Sequence, residues 1–330
     1  MIRSLPRAAR AALAAAALVL TTGGAYGQTP EKLTFSTDWL AQAEHGGFYQ
    51  AVAEGIYARY GLDVTVRSGG PQVNGLQLLA ARQLDVVMAD ALQVTSAIEQ
   101  SVPLVTIAAT FQKNPTVIIS HPGVNSLADL KGRPVAVCSA ANTTFWPWLK
   151  QRYGFTDDQK RPYAFSVQPF LVDKNLSQQG FATSEPFSIE KGGVTPVVFL
   201  LADLGYPPYS EALVVTRDTL ARRSDALRRF ILASAEGWRS YLANPAPGNV
   251  LIKRANPEMS DDLLAYGVPK MNSYAIVAGP DTKAGGLLTM TDARWQSTLD
   301  FLRRAGLTKP NVDYRQAWTL DIVSKVKVLP

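Results

Sequence analysis

The chain has 330 residues, 47% of them hydrophobic, with a formal net charge of +6, one cysteine and two histidines. That length and apolar content suffice for one large domain or two lobes. A single cysteine excludes an internal disulfide, and the absence of a Lys/Arg stripe with interleaved aromatics gives no support to nucleic-acid binding.

Residues 1–27 carry Arg3, Arg7 and Arg10, an apolar run over 11–20 too short to span a bilayer, and the small-x-small end Ala25-Tyr26-Gly27. This is the pattern of a cleavable secretory signal peptide and predicts export to the periplasm. No cysteine follows the apolar run, so a lipoprotein anchor is not expected. The leader holds three arginines and no acid, which leaves the exported chain at +3.

Residues 33–37 read as a strand and lead into the dense stretch 38–49, DWLAQAEHGGFY. Helical spacing then joins Phe48, Val52 and Ile56, and Gly61 fits a helix C-cap. Leu62, Val64 and Val66 alternate with Asp63, Thr65 and Arg67 as a second strand. Ser68-Gly69-Gly70-Pro71 breaks it. A helix over 72–82, a strand over 85–89, a helix over 91–100 and a strand over 104–110 follow. The order βαβαβαβ predicts a parallel sheet covered by helices.

A second α/β unit is read from strands over 116–120, 134–138, 165–170, 180–184 and 197–201. Its helices are expected from Thr143 or Thr144 to residue 153 and over 174–179. Residues 212–216 resemble 116–120 in length and β-branched content, and the two are read as crossings between lobes. Residues 28–115 are thus expected to begin lobe one, 116–211 to form lobe two, and 212–330 to return to lobe one with C-terminal helices packed on it. Ser224 is read as the cap of a long helix, and Arg222, Arg223, Arg228 and Arg229 as its solvated face.

Two α/β lobes joined by two crossings leave a cleft, and ligands of open α/β sheets bind beyond the carboxyl ends of the strands. Trp39 and Tyr49 are candidates to sandwich a planar ring. Asp38, Gln42, His45 and Asp90 offer hydrogen bonds from the first lobe. Asn142, Thr143 and Trp146 come from the second, with Glu185 placed to pair with an amine or amidine-like ring edge. Capping, turn or core roles remain open for each. Gly69-Gly70 is either an amide pair for an anion or a plain turn. Metal-site spacing, the nucleophile elbow and the phosphate loop are absent, so no cofactor, no metal and no enzymatic activity are expected. Cys138 ends an apolar strand and is read as buried and inert. The candidate segments carry no Lys or Arg, which favours a neutral or weakly basic heterocycle over a strong anion.

These motifs resemble the periplasmic solute-binding proteins of the thiamine-pyrimidine-precursor type, related to the nitrate, taurine and alkanesulfonate binders of ABC importers. The family opening D-W-x-x-N-x-x-H-x-G-x-Y-x-A stands here as Asp38, Trp39, His45, Gly47, Tyr49 and Ala51, followed by Gly61-Leu62-Asp63-Val64. LLAARQLDVVMAD, SLADLKGRPVAV and the Glu185-Pro186 turn extend it over essentially the whole mature chain. The chain departs from the family at Gln42 and Glu44. The resemblance implies the type II periplasmic-binding fold, α/β with two lobes around a ligand cleft, and a small-molecule ligand delivered by a monomer to a membrane permease. A fungal enzyme of the family uses a lysine and a histidine after the third strand. Ala89 and Gln93 stand there in this chain, so that chemistry is not expected. A sulfinate-cleaving branch uses a nucleophilic cysteine at a position Cys138 does not match. An exported enzyme on the same fold and an anion binder remain the alternatives.

Overall fold

Ten strands form in a computed structural model that describes residues 29–330. The signal-peptide expectation lies outside the described residues. In chain order the strands are β1 (Glu31–Ser36), β2 (Leu62–Arg67), β3 (Val86–Ala89), β4 (Leu104–Phe111), β5 (Thr116–Ser120), β6 (Val135–Val137), β7 (Lys160–Pro162), β8 (Ser177–Phe181), β9 (Val197–Leu200) and β10 (Ser210–Thr216). They make two five-stranded sheets, ordered β2-β1-β3-β10-β4 and β7-β6-β8-β5-β9. In each, three neighbouring strands run parallel, and one strand, β10 or β5, runs antiparallel between its neighbours. The purely parallel sheet expected from the element order is therefore corrected to a mixed one. The chain crosses between lobes through residues 112–115 and 201–209, and Lys113 and Asp203 tie the two crossings at 2.6 Å.

The burial follows the sequence pattern. β3, β4 and β10 are apolar runs buried on both faces, whereas β2 lies at an edge and alternates. Helix Gly46–Ala53 packs on the long helix Arg217–Ala243. A Cβ on Gly47 would stand 2.2 Å from Cγ of Trp238, and one on Gly237 would stand 2.2 Å from the Gly47 carbonyl oxygen. The glycines of the 38–49 stretch thus serve a close helix crossing that no side chain fits. Among the described residues no helix is long and apolar enough to cross a membrane.

Several local readings change. Residues 177–179, expected to be helical, form central strand β8, because their polar side chains bond inside the lobe. Ser177 Oγ donates to Ser120 Oγ at 3.0 Å, and the backbone N–H of Cys138 donates to Gln179 Oε1 at 2.7 Å. Pro169 opens a short helix, Gln168–Val172, in place of the strand expected there. The long helix begins at Arg217, capped by Thr216, and carries non-helical angles at Arg223 rather than a cap at Ser224. Arg223 is not a solvated residue: it reaches back to Glu31 at 2.9 Å and Asp85 at 2.6 Å. Helix Asp261–Ser273 does not pack on lobe one alone. Gly267 lies against Ala43, while Tyr266 meets Phe187 and Asp262 pairs with Lys191 of lobe two at 2.8 Å.

Candidate ligand-binding cleft

A cleft of about 590 Å³ lies between the two sheets, a size suited to a small molecule. Lobe one lines it with Thr37, Asp38, Trp39, Gln42, Asp90 and Glu211, and with the loop leading into helix Gly75–Ala80. Lobe two lines it with Cys138, Thr143, Tyr163, Gln179 and Glu185. The walls touch where Ser139 Oγ donates to the Pro71 carbonyl at 2.9 Å.

Trp39 leaves the end of β1, and Tyr163 follows β7. Their rings face each other from opposite lobes, 6.2 Å between centroids and 4° from parallel. Tyr163 is fixed by donating its hydroxyl proton to Glu185 Oε1 at 2.6 Å. Burial, then the charge of Glu185, push the Tyr163 phenol well above its ordinary value, so it stays a donor. Glu185 Oε2 accepts from Phe181 N at 2.7 Å and from Ser184 Oγ. Gly180 leaves room for this carboxylate, since a Cβ there would meet Glu185 Cβ at 2.8 Å. Glu185 lines the cleft, but its oxygens are engaged in holding the Tyr163 ring.

The acids of lobe one form a second group. Asp38 Oδ1 lies 3.2 Å from His45 Nε2, and ligand atoms of Asp38, His45 and Glu211 lie within 4.8 Å of one another. Glu211 is 2% exposed and sits within β10 at φ +53°. A non-glycine residue there costs on the order of 1–3 kcal/mol, and such strain concentrates at functional sites. Burial and then the Asp38 charge push Glu211 well above the carboxylate range. For Asp38, burial opposes the charge, but His45, and after it the nearby Glu211, outweigh it and hold the group below its ordinary value. Two carboxyls this close do not both ionise readily, so Glu211 keeps the proton and Asp38 the charge. Asp90 caps helix Ala91–Glu99 by accepting from Leu92 N at 2.8 Å, and Asn114 of the first crossing donates to it at 3.3 Å. Burial pushes Asp90 up to about 7.

The residues singled out from sequence divide in three. Asp38, Trp39, Gln42, Asp90, Thr143 and Glu185 line the cleft. His45 is fully buried behind Asp38. Tyr49, Asn142 and Trp146 do not line it. Tyr49 is on the buried face of helix Gly46–Ala53 with its hydroxyl 3.2 Å from Ser68 Oγ, so it cannot be the second ring of a sandwich. Asn142 accepts from Lys160 Nζ at 2.7 Å, and the Trp146 indole donates to Asp157 at 3.0 Å; both lie beside a separate surface pocket. The Gly69 amide donates to Trp39 O at 3.1 Å, and a Cβ there would collide with the Asp38 backbone, so this glycine serves a tight chain approach instead of an anion.

Sequence reasoning missed Tyr163, Gln179 and Glu211. Only Glu211 had a signal, an acid at the head of the otherwise apolar run ALVVT. Cys138, expected to be inert, is 8% exposed and lines the wall beside the ring pair. Gln179 Nε2 donates to its sulfur at 3.3 Å, and burial raises its thiol.

Comparison with known proteins agrees with this architecture. A riboflavin-binding protein, RibY, of Chloroflexus aurantiacus is 25% identical over 313 residues, covering 89% of this chain and 87% of its own. The ligand-binding component of an ABC-type import system from Staphylococcus aureus, solved with zinc bound, matches at TM-score 0.64 and 12% identity over 91% of this chain and 100% of that one. The alkanesulfonate-binding protein SsuA from Xanthomonas axonopodis pv. citri, bound to MOPS, matches at TM-score 0.63 and 13% identity over 88% and 98%. The desulfurization enzyme DszB shares the fold at TM-score 0.56 and 12% identity over 89% and 98%. The two lobes are those of the periplasmic-binding-protein fold. The model of the family described as NMT1/THI5 like matches residues 42–247, more than half the chain, from the turn before the first buried helix through lobe two to the returning helix. The chain belongs to the NMT1/THI5-like family.

Proposed function

We propose that the protein is the periplasmic solute-binding component of an ABC importer. It holds a small planar nitrogen-containing or aromatic solute between Trp39 and Tyr163 and, as a monomer, hands it to a membrane permease. The observation that carries this reading is the pair of parallel rings contributed by opposite lobes. Two van der Waals contacts of roughly 3.5 Å set the faces of such a clamp about 7 Å apart around an inserted ring. Opening the 6.2 Å pair by at least about 1 Å admits one. A ligand gripped by both lobes favours the closed state, because only that state gains both sets of contacts.

The lining supports the ligand class. It includes four acids, Asp38, Asp90, Glu185 and Glu211, and no Lys or Arg. A strong anion such as a sulfonate or nitrate has no cation to meet there, and the Gly69 amide is already bonded. A relative named for riboflavin, a planar nitrogen heterocycle, supports the same class. Recognition without turnover fits Cys138, whose thiol burial keeps protonated and whose neighbour Gln179 is no base.

Thermal-shift screening and calorimetry against aminopyrimidines, riboflavin, alkanesulfonates and nitrate test the reading. Planar nitrogen heterocycles are expected to bind, with Trp39→Ala and Tyr163→Ala each weakening the best of them tenfold or more. Preferential binding of sulfonate or nitrate, or conversion of the bound compound to product, overturns it.

A further inference from the structure

Three buried polar atoms in the floor of lobe one lack a hydrogen-bond partner: Glu211 Oε2, Gln42 Oε1 and His45 Nδ1. The first two belong to residues that line the cleft, and both residues are more than nine-tenths buried. Both oxygens call for a partner, since a buried polar atom left unpaired is costly. Asp38 stands beside Glu211 and His45 with its charge, its side chain is 32% exposed, and it lines the cleft with Gln42. A backbone held at φ +53° keeps Glu211 in place.

We infer that Asp38 and Glu211, with the Gln42 carbonyl, form a subsite for the cationic N–H edge of the ligand, an amidinium or a protonated amino-heterocycle, and that Glu211 releases its proton to solvent as that edge docks. The inference rests on the binding reading above and deepens it. Charge balances across the step. The empty subsite holds one ionised carboxylate and one carboxylic acid. The occupied subsite holds two carboxylates and one cation, and one proton has left. The parallel rings then supply the faces and the two carboxylates the edge, so specificity arises from a group that donates in the ring plane.

Four titratable groups stand near Glu211. Asp38 and His45 come from the turn after β1, Glu44 from the same turn, and Asp90 from the end of β3; the three acids each oppose ionisation of Glu211. Arg294 lies over the ring of Tyr209, 4.4 Å from its centroid, but donates to the carbonyls of Gln112 and Pro207. No Lys or Arg of the cleft lining faces the pair, and the one basic group in contact with it, His45, lies behind Asp38 at 3.2 Å.

Benzamidine, planar and cationic throughout the accessible pH range, is the probe, with benzamide as its neutral isostere. Calorimetry in buffers of unequal ionisation heat counts protons. Wild-type protein is expected to bind benzamidine at least tenfold more tightly than benzamide, to release protons as it does so, and to gain up to tenfold in affinity per pH unit as pH rises from about 5.5. Glu211→Gln is expected to lose the proton release and most of the preference. If it fails to fold, the wild-type proton count and charge preference decide alone. Binding of riboflavin or an aminopyrimidine through Trp39, with benzamidine no better than benzamide or no proton released, overturns the subsite and leaves the binding reading intact. Failure of every planar compound to bind overturns both. Stabilisation by zinc chloride alone, abolished in Glu211→Gln, overturns the inference by giving the three side chains to a metal.

Discussion

Replacing Glu44 by Gln removes a buried acid that joins the two lobes. Glu44 is 1% exposed, lies off the cleft lining, and accepts a hydrogen bond from Thr183 Oγ1 of lobe two. Burial raises its carboxyl from an ordinary 4.5 to about 7. Below the lower value native and unfolded chains both carry the proton. Between the two values the unfolded chain has lost it and the native chain keeps it, so native stability falls as pH rises through that window. Above the upper value the whole penalty is present. At about 1.4 kcal/mol per pH unit, the displacement amounts to roughly 3 kcal/mol. Gln retains an acceptor for Thr183 and carries no charge at any pH. The variant is therefore expected to match wild type near pH 4.5 and to exceed it by up to roughly 3 kcal/mol at pH 8. Urea unfolding at half-unit steps of pH measures this as a difference between the two chains, which cancels the similar slopes contributed by Asp90 and Glu211. Parallel pH profiles for the two chains would refute the burial argument, as would a variant less stable at pH 8.

Three further outcomes follow from the packing. Gly47→Ala forces a methyl into the Trp238 ring and is expected to cost about 3 kcal/mol or to prevent folding, read as a lowered urea midpoint. Arg223→Met leaves Glu31 to Arg229 but strips Asp85 of its cation, and a loss of roughly 1–3 kcal/mol that shrinks in high salt is expected from paired denaturation curves. Cys138 is expected to react with maleimide far more slowly in the native chain than in urea, and more slowly still with ligand bound; rapid native labelling would show a reactive thiolate.

The fold was largely legible because its strands are apolar or alternating runs of ordinary length between turns. β3, β4, β5 and β10 are all of this kind. β8 was not, because Ser177, Gln178 and Gln179 enter a central strand only by satisfying one another and the neighbouring strands, which no single-strand pattern encodes. Part of the first-lobe lining was legible because Asp38, Trp39 and Gln42 stand together in sequence at a strand end, whereas Glu211 reaches it from the returning strand β10. In the second lobe Thr143 and Glu185 were legible, but Tyr163 and Gln179 were not. Tyr163 follows a three-residue edge strand with no periodicity, and its place opposite Trp39 is set by Glu185, itself oriented by a turn 22 residues away in sequence. Tyr49 was misassigned because helical spacing gives the turn of a helix but not which neighbour covers it.

The polar and aromatic groups are divided unequally between the lobes, and on the proposed binding reading this sets the order in which a ligand meets them. Lobe one carries Asp38, Gln42 and Glu211 together with the Trp39 face. Lobe two contributes the Tyr163 ring, the amide of Gln179 and the neutral wall around Cys138. On that reading an open molecule would already present most of the hydrogen-bonding edge and one ring face, and a ligand would dock on lobe one before the lobes close. Closure then adds the second ring, which Glu185 has already positioned and which loses little freedom on binding. Changes to Asp38 or Glu211 are then expected to alter the first docking and ligand choice, and changes to Tyr163 or Glu185 the dissociation rate, each read from binding kinetics. The Glu44–Thr183 bond and helix Asp261–Ser273 span both lobes near the crossings. They tie the lobes together away from the cleft lining.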